Sequence, residues 1–199
     1  VSLRDCLPLI VFVIVATATP GGATALATAS GAHFGYRRSV PYMMGIAAGL
    51  GTMAAAAAAG LGGIVQASPN LQSALKLMGS LYLAWLAWRI ARSASPHAGS
   101  ALRKPIGFAG GVWMLWQNPK GWAMTLGAAA SFAVIAHGPM RLAALLGISF
   151  AVAAMASLSL WCIAGLALAR VLRSQGQWRC FNGVLALLLV ASVVAMWLP

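Results

Sequence analysis

Trp113-Met114-Leu115-Trp116-Gln117-Asn118-Pro119-Lys120-Gly121-Trp122 sets a proline, two amides and a lysine close to the middle of an apolar run over 107–134. A helix needs about 20 apolar residues to cross a hydrocarbon core about 30 Å thick, so the run predicts a transmembrane span. Proline removes one backbone donor and crowds the preceding turn, and the adjacent glycine relaxes the chain further, which predicts a break near the bilayer midplane. Backbone groups freed there are costly when they face lipid, so such a break persists where protein or a water-filled cavity satisfies them.

Lys120 lies more than ten residues from either end of this run, too far for easy snorkelling to the interface. A cation near a helix centre costs about 2.5–3.5 kcal/mol on insertion scales, so an ionisable group at this depth is a candidate functional residue. The sole acid of the chain, Asp5, lies near the amino terminus and in none of the predicted spans. The counter-charge for Lys120 is therefore expected to come from a substrate carboxylate.

Outward along the chain, Thr19-Pro20-Gly21-Gly22 interrupts an earlier apolar run, 7–29, in the same manner. The two prolines, Pro20 and Pro119, stand 99 positions apart. Further runs at 41–65, 71–91, 142–169 and 181–198 bring the expected spans to six. Three spans per half is an odd number, so the second half enters the membrane inverted, the plan of many secondary carriers. The expected fold is an all-α integral membrane protein of about six transmembrane helices in two inverted three-helix repeats. Its first and fourth helices are broken near the midplane. The chain forms one domain over 1–199, with repeat one at about 1–92, a loop at 93–106 and repeat two at about 107–199.

The breaks define the candidate substrate-binding residues: Thr19, Pro20, Gly21 and Gly22 in the first, and Gln117, Asn118, Pro119, Lys120 and Gly121 in the second. Amides near Gly21, Gly22 and Gly121, with the Lys120 ammonium, suit a carboxylate. Thr19, Gln117 and Asn118 offer side-chain hydrogen bonds. Simple kinks in packed helices are the plainer alternative for either proline alone.

Composition supports the membrane assignment: 61% of the 199 residues are hydrophobic and 7% charged. Thirteen Lys and Arg against one acid give a net charge of +12. These cations sit in short gaps between apolar runs, as in cytoplasmic loops, rather than in a nucleic-acid-binding patch. Arg37, Arg38, Arg89, Arg92, Arg103, Lys104, Arg170, Arg173 and Arg179 fall on one side, nine against three (Arg4, Lys76, Arg141) on the other. That excess places both termini outside the cytoplasm. The connections expected are His33 to Val40, Ser68-Pro69-Asn70, Arg92 to Lys104, His137-Gly138-Pro139 and Arg170 to Arg179. The first run superficially resembles a signal peptide, but Arg4 is offset by Asp5 and five more spans follow, so it is read as a span.

Other chemistry is thinly represented. Cys6, Cys162 and Cys180 are isolated thiols, and His33, His97 and His137 are read as loop residues, so neither a metal site nor a cofactor is expected. Gly147-Ile148-Ser149-Phe150 outlines a serine nucleophile motif, yet no histidine lies in a predicted span to act as its base, which argues against an enzyme. Gly45, Gly49, Gly60, Gly63 and the Ala54–Ala59 run suit close helix packing. Trp116 and Trp122 flank the second break closely enough to line a cavity, whereas the other tryptophans sit mostly toward helix ends as interfacial anchors.

Taken in order, Thr19-Pro20-Gly21-Gly22, then Gly35, Gly45 and Gly49, then Leu77 to Leu86, then Asn118-Pro119-Lys120, the chain resembles the lysine exporter and homoserine/threonine exporter (LysE/RhtB) superfamily of bacterial amino-acid exporters. That family's first helix usually carries Thr/Ser-Pro-Gly-Pro, its third a Gly-x-x-Tyr-Leu-x-Trp-Leu pattern, and its fourth Asn-Pro-Lys. The resemblance runs almost end to end and implies efflux of amino acids or related metabolites across the bacterial inner membrane, usually viewed as driven by the proton gradient. Two departures stand out: Gly22 replaces the second proline, and Ala154 appears where many members carry an aspartate. Without that carboxylate, a proton would travel through water, the substrate or transient deprotonation of Lys120.

The expected function is export of a small amino acid or related carboxylate-bearing metabolite by alternating access. The expected partners are that substrate and membrane lipid, not nucleic acid, and a homodimer is left open. The alternative is a non-transporting membrane subunit whose broken helices shape a partner interface.

Overall fold

Proline or glycine marks several helix boundaries in an otherwise helix-forming chain, at Pro20, Gly35, Pro119 and Pro139, while Pro8 and Pro41 lie within helices. The computed structural model describes residues 3–61, 69–92, 105–136, 138–172 and 174–197, and the regular structure among them is helical. Its helices are α1 (Leu3–Ala18), α2 (Gly22–Phe34), α3 (Tyr36–Ala56), α4 (Pro69–Ala91), α5 (Phe108–Trp116), α6 (Pro119–Ser131), α7 (Pro139–Val171) and α8 (Gln175–Trp197). A π turn, Ala57–Leu61, follows α3, and a 3-10 turn, Ala133–Ile135, follows α6.

Pro20 cannot donate to the preceding turn, so α1 stops just before it, and α2 departs at 59° to the apolar part of α1. Asn118 ends the irregular step after α5: its side-chain oxygen accepts from the Lys120 amide at 3.0 Å, while Pro119 occupies the first helical position of α6. Both choices favour helix initiation, since the cap satisfies one orphan donor and proline has none to satisfy.

By length and apolar composition, α3 with its π turn and α7 are each able to cross a membrane, and the bent α1–α2 pair is a third candidate. The helices α4 and α8, 23 residues each, occupy the places of the expected third and sixth spans. Leu7, Val11 and Val15 on α1, Ile148, Val152 and Leu160 on α7, and Leu187 on α8 are exposed. Apolar surface on so many helices suits a lipid solvent.

The connection expected at His33 to Val40 is shorter than the sequence suggests. Only Gly35 separates α2 from α3, with φ +78°, and its amide donates to the Gly31 carbonyl at 3.1 Å. The left-handed region is open to glycine without steric cost, so one residue turns the chain and the flanking polar residues remain helical. His33 accordingly lies in the last turn of α2, half-buried, with Nε2 3.3 Å from Asn182 Oδ1 and its ring 5.3 Å from that of Trp178. Arg170 and Arg179 are likewise helical, at the ends of α7 and α8. Most of the Arg92–Lys104 connection, together with Ser68 and His137, lies outside the described residues.

Backbone contact holds the central helices together. A Cβ at Gly165 would collide with the Thr28 carbonyl oxygen, and one at Gly31 with that of Cys162, which fixes α2 on α7. Gly45 and Gly111 do the same between α3 and α5. Gly51 and Gly147 meet where α3 crosses α7, each close to the other's carbonyl. Lipid supplies no hydrophobic drive between helices, so small residues that admit close dispersion contact carry association. Two threonine hydroxyls inside this packing return to their own helix: Thr28 Oγ1 donates to the Thr24 carbonyl at 2.9 Å and Thr125 Oγ1 to that of Gly121 at 2.9 Å.

Candidate functional site

The two helix breaks meet. At the end of α1 the carbonyls of Thr17, Ala18 and Thr19 lack helical partners, because the helix stops at Ala18 and the chain turns away into α2. Each accepts from a distant side chain: Thr17 from Ser157 Oγ at 2.9 Å, Ala18 from Trp161 Nε1 at 3.3 Å, and Thr19 from Lys120 Nζ at 3.1 Å. The ammonium thus rests on the carboxyl-terminal end of a helix, where partial negative charge gathers.

Across the break, the Gly21 amide donates to Thr24 Oγ1 at 2.7 Å, and that hydroxyl donates to the Gly21 carbonyl at 2.9 Å, closing the first turn of α2. Gly21 lies against Lys120: a Cβ there would stand 3.5 Å from Nζ. The positive end of α2 therefore faces the same space as the ammonium, an arrangement suited to an anionic group.

That space is a cavity of about 50 Å³. Thr19, Gly21, Gly22, Asn118, Lys120 and Gly121 line it. Pro20 is exposed and Gln117 is buried, and neither lines the cavity. The Gln117 Oε1 is buried without a hydrogen-bond partner. The side chain of Pro119 lies outside the described residues. Trp116 and Trp122 brace the break instead of lining the cavity: the rings meet edge to face at 5.5 Å, and Trp122 Nε1 donates to the Trp116 carbonyl at 2.9 Å.

Sequence reasoning missed Thr17 and Thr24, hydroxyls within four residues of the first break, whose proximity was the available signal. It also missed the apolar wall from other helices, including Ile46 and Leu50 of α3 and Leu158 of α7, which no local pattern marks. Ala154 belongs to that wall as well, facing the same cavity as Lys120. A volume of about 50 Å³ admits about one or two waters.

A family model described as LysE type translocator matches residues 14–197. The cysteine/O-acetylserine efflux protein of Klebsiella pneumoniae subsp. pneumoniae is 28% identical over 184 residues, covering 92% of each chain. Proteins of the same description from Salmonella typhi and Escherichia coli K12 are each 28% identical, over 189 and 188 residues, with 94% of each chain covered. No solved structure matches.

Proposed function

Because this chain belongs to the LysE family of translocators, a membrane transporter rather than an enzyme, we propose that it exports a small amino acid or related carboxylate-bearing metabolite across the bacterial inner membrane. The observation that carries this reading is the Lys120 ammonium at the wall of a cavity between two helix breaks, held by the Thr19 carbonyl. The relatives named for cysteine and O-acetylserine efflux are consistent with a small zwitterionic cargo here.

In this reading the substrate carboxylate takes hydrogen bonds from Lys120 Nζ and the first-turn amides of α2. The substrate ammonium then inherits the Thr19 carbonyl that Lys120 leaves. Half-helix ends of opposite polarity are suited to the two ends of a zwitterion. Hydrogen bonds to charged groups are stronger than neutral ones, so the exchange preserves a charge-assisted contact at each atom.

Export proceeds by alternating access in two inverted repeats of three spans, with both breaks near the midplane. The 99-residue offset between Pro20 and Pro119 supports the repeats. So does the packing of α3 along α7 and of α4 along α8, since each pair joins elements that the repeat makes equivalent. The excess of Lys and Arg, nine against three, favours both termini outside.

The test is extracellular accumulation of amino acids and related metabolites from cells carrying the protein or an empty vector, paired with flux from liposomes containing purified protein. Accumulation and flux of one zwitterion are expected. A protein correctly inserted and inert in both assays across a broad amino-acid panel would be a non-transporting subunit, and the exporter reading would fail.

A further inference from the structure

The cavity beside Lys120 has a polar rim and an apolar floor. Thr19 is exposed and Lys120 half-buried, and their 3.1 Å bond closes the rim. Beneath them Ile46 and Leu50 of α3, Leu115 of α5, and Ala154 and Leu158 of α7 are all buried, and half-buried Met124 of α6 joins them. A small zwitterion seated here keeps its two charges at the rim and turns its side chain to the floor, because burying an unpaired charge is the costlier choice.

The chain itself engages the acceptors that the two breaks bring to this cavity. The Thr17 carbonyl takes Ser157 Oγ at 2.9 Å, the Gly21 carbonyl takes the Ala25 amide and Thr24 Oγ1, each at 2.9 Å, and the Gly121 carbonyl takes Thr125 Oγ1 at 2.9 Å. Asn118 gives Oδ1 to the Lys120 amide and its carbonyl to the Trp122 amide. The hydroxyls of Thr17 and Thr19 donate to the Val13 and Val15 carbonyls at 2.8 and 2.6 Å. These donors are fixed within helices. The donor at the Thr19 carbonyl differs, since the Lys120 ammonium rides on a flexible four-carbon stem and can swing away. The cavity thus releases one carbonyl to one incoming ammonium. Lys120 is the one charged side chain among the described lining residues and serves one carboxylate. Asp5, the only acid of the chain, stands at the far end of α1 and offers no counter-charge.

We propose that this site selects amino acids with one ammonium, one carboxylate and an apolar side chain, and that Ser157 helps to set the limit by occupying the Thr17 carbonyl. The proposal rests on the exporter reading and narrows the class of cargo within it. A side-chain methyl on the floor gains dispersion contact with Ile46, Leu50 and Leu158. A hydroxyl in the same place gives up water and finds the neighbouring acceptors already engaged. A second ammonium is worst placed, buried without counter-charge and with the Thr17 carbonyl taken. Ser157 is a positioning residue in this scheme, acting on the cargo through that carbonyl.

Norvaline, homoserine and α,γ-diaminobutyrate test this, being close in size and ending in a methyl, a hydroxyl and an ammonium. Apparent affinities are read from the ligand-dependent rise in melting temperature of the purified full-length protein in detergent. Norvaline is expected to bind tightest, with homoserine weaker by about tenfold and diaminobutyrate by about a hundredfold. Ser157→Ala frees the Thr17 carbonyl and is expected to narrow the gap between diaminobutyrate and norvaline by about tenfold, whereas Ser157→Thr keeps a hydroxyl and the wild-type gap. A merely structural role for Ser157 would weaken both ligands alike and leave their ratio unchanged, which overturns its part in selection. If Ser157→Ala fails to fold, the wild-type ranking still decides the selectivity. Diaminobutyrate binding as tightly as norvaline would mean that the side chain leaves by the exposed rim, and saturable binding of none of the three would mean that the cavity takes no such cargo; either overturns the proposal. Flux of the same compounds from liposomes is measured separately, so binding in the expected order without flux counts against the exporter reading and not against the selectivity.

Discussion

The ammonium of Lys120 donates to the carbonyl of Thr19 at 3.1 Å, joining positions 101 residues apart across two helix breaks. A cation half-buried among apolar helices is costly, and the end of α1 offsets part of that cost with the partial charge of its free carbonyls. The contact is compatible with a resting state in which Lys120 waits on backbone until a carboxylate draws it away.

Lys120→Met is accordingly expected to insert normally and to lower export at least tenfold, since an apolar chain of similar length fills the space without binding a carboxylate. Lys120→Arg should retain more export than Met because the charge remains. The measurement is extracellular accumulation at matched membrane expression, and wild-type export by the Met variant would remove Lys120 from the pathway.

Ser157→Ala leaves the Thr17 carbonyl without its donor in a partly buried place. An unsatisfied buried acceptor costs about 1–3 kcal/mol, so thermal unfolding in detergent should shift down accordingly. Trp161→Phe is expected to cost less, because its bond to Ala18 is exposed and water can substitute. The reverse ranking would mean that the α1 end is not closed as described.

Asn118 acts here first as a helix cap, with its oxygen engaged by the Lys120 amide. Asn118→Ala should destabilise by about 1 kcal/mol, whereas Asn118→Ser or Asn118→Asp keeps an acceptor at the position and should stay near wild type. Equal melting of all three variants would show that the cap does not contribute.

Two glycines separate packing from propensity. Nothing lies within 4 Å of a Cβ at Gly127, on the exposed side of α6, so Gly127→Ala should stabilise by about 0.5–1 kcal/mol. At Gly165 the same methyl meets the Thr28 carbonyl, and Gly165→Ala should destabilise by about 1–3 kcal/mol as α2 is pushed from α7. Folded yield and melting in detergent read both, and a stable, well-expressed Gly165→Ala protein would contradict the close crossing.

The sequence by itself determined that the chain is helical and apolar, and it marked where α1 ends before Pro20 and where α6 begins at Pro119, because hydropathy and the backbone chemistry of Pro20, Asn118 and Pro119 act locally. Six of the nine candidate residues, among them Thr19, Gly21 and Lys120, line one cavity. Tertiary structure alone decided the rest. Gln117 looks like a ligand in the linear chain, yet the turn after α5 buries it away from the cavity. Ser157, Trp161 and Ala154 carry no local mark, and they reach the site because Gly31 and Gly165 let α2 lie against α7. His33 reads as a loop residue until Gly35 is seen to turn the chain alone. The physical reason is common to all: propensity and hydropathy are summed over neighbours in sequence, whereas contacts such as Lys120 with Thr19 depend on close packing between helices remote in the chain.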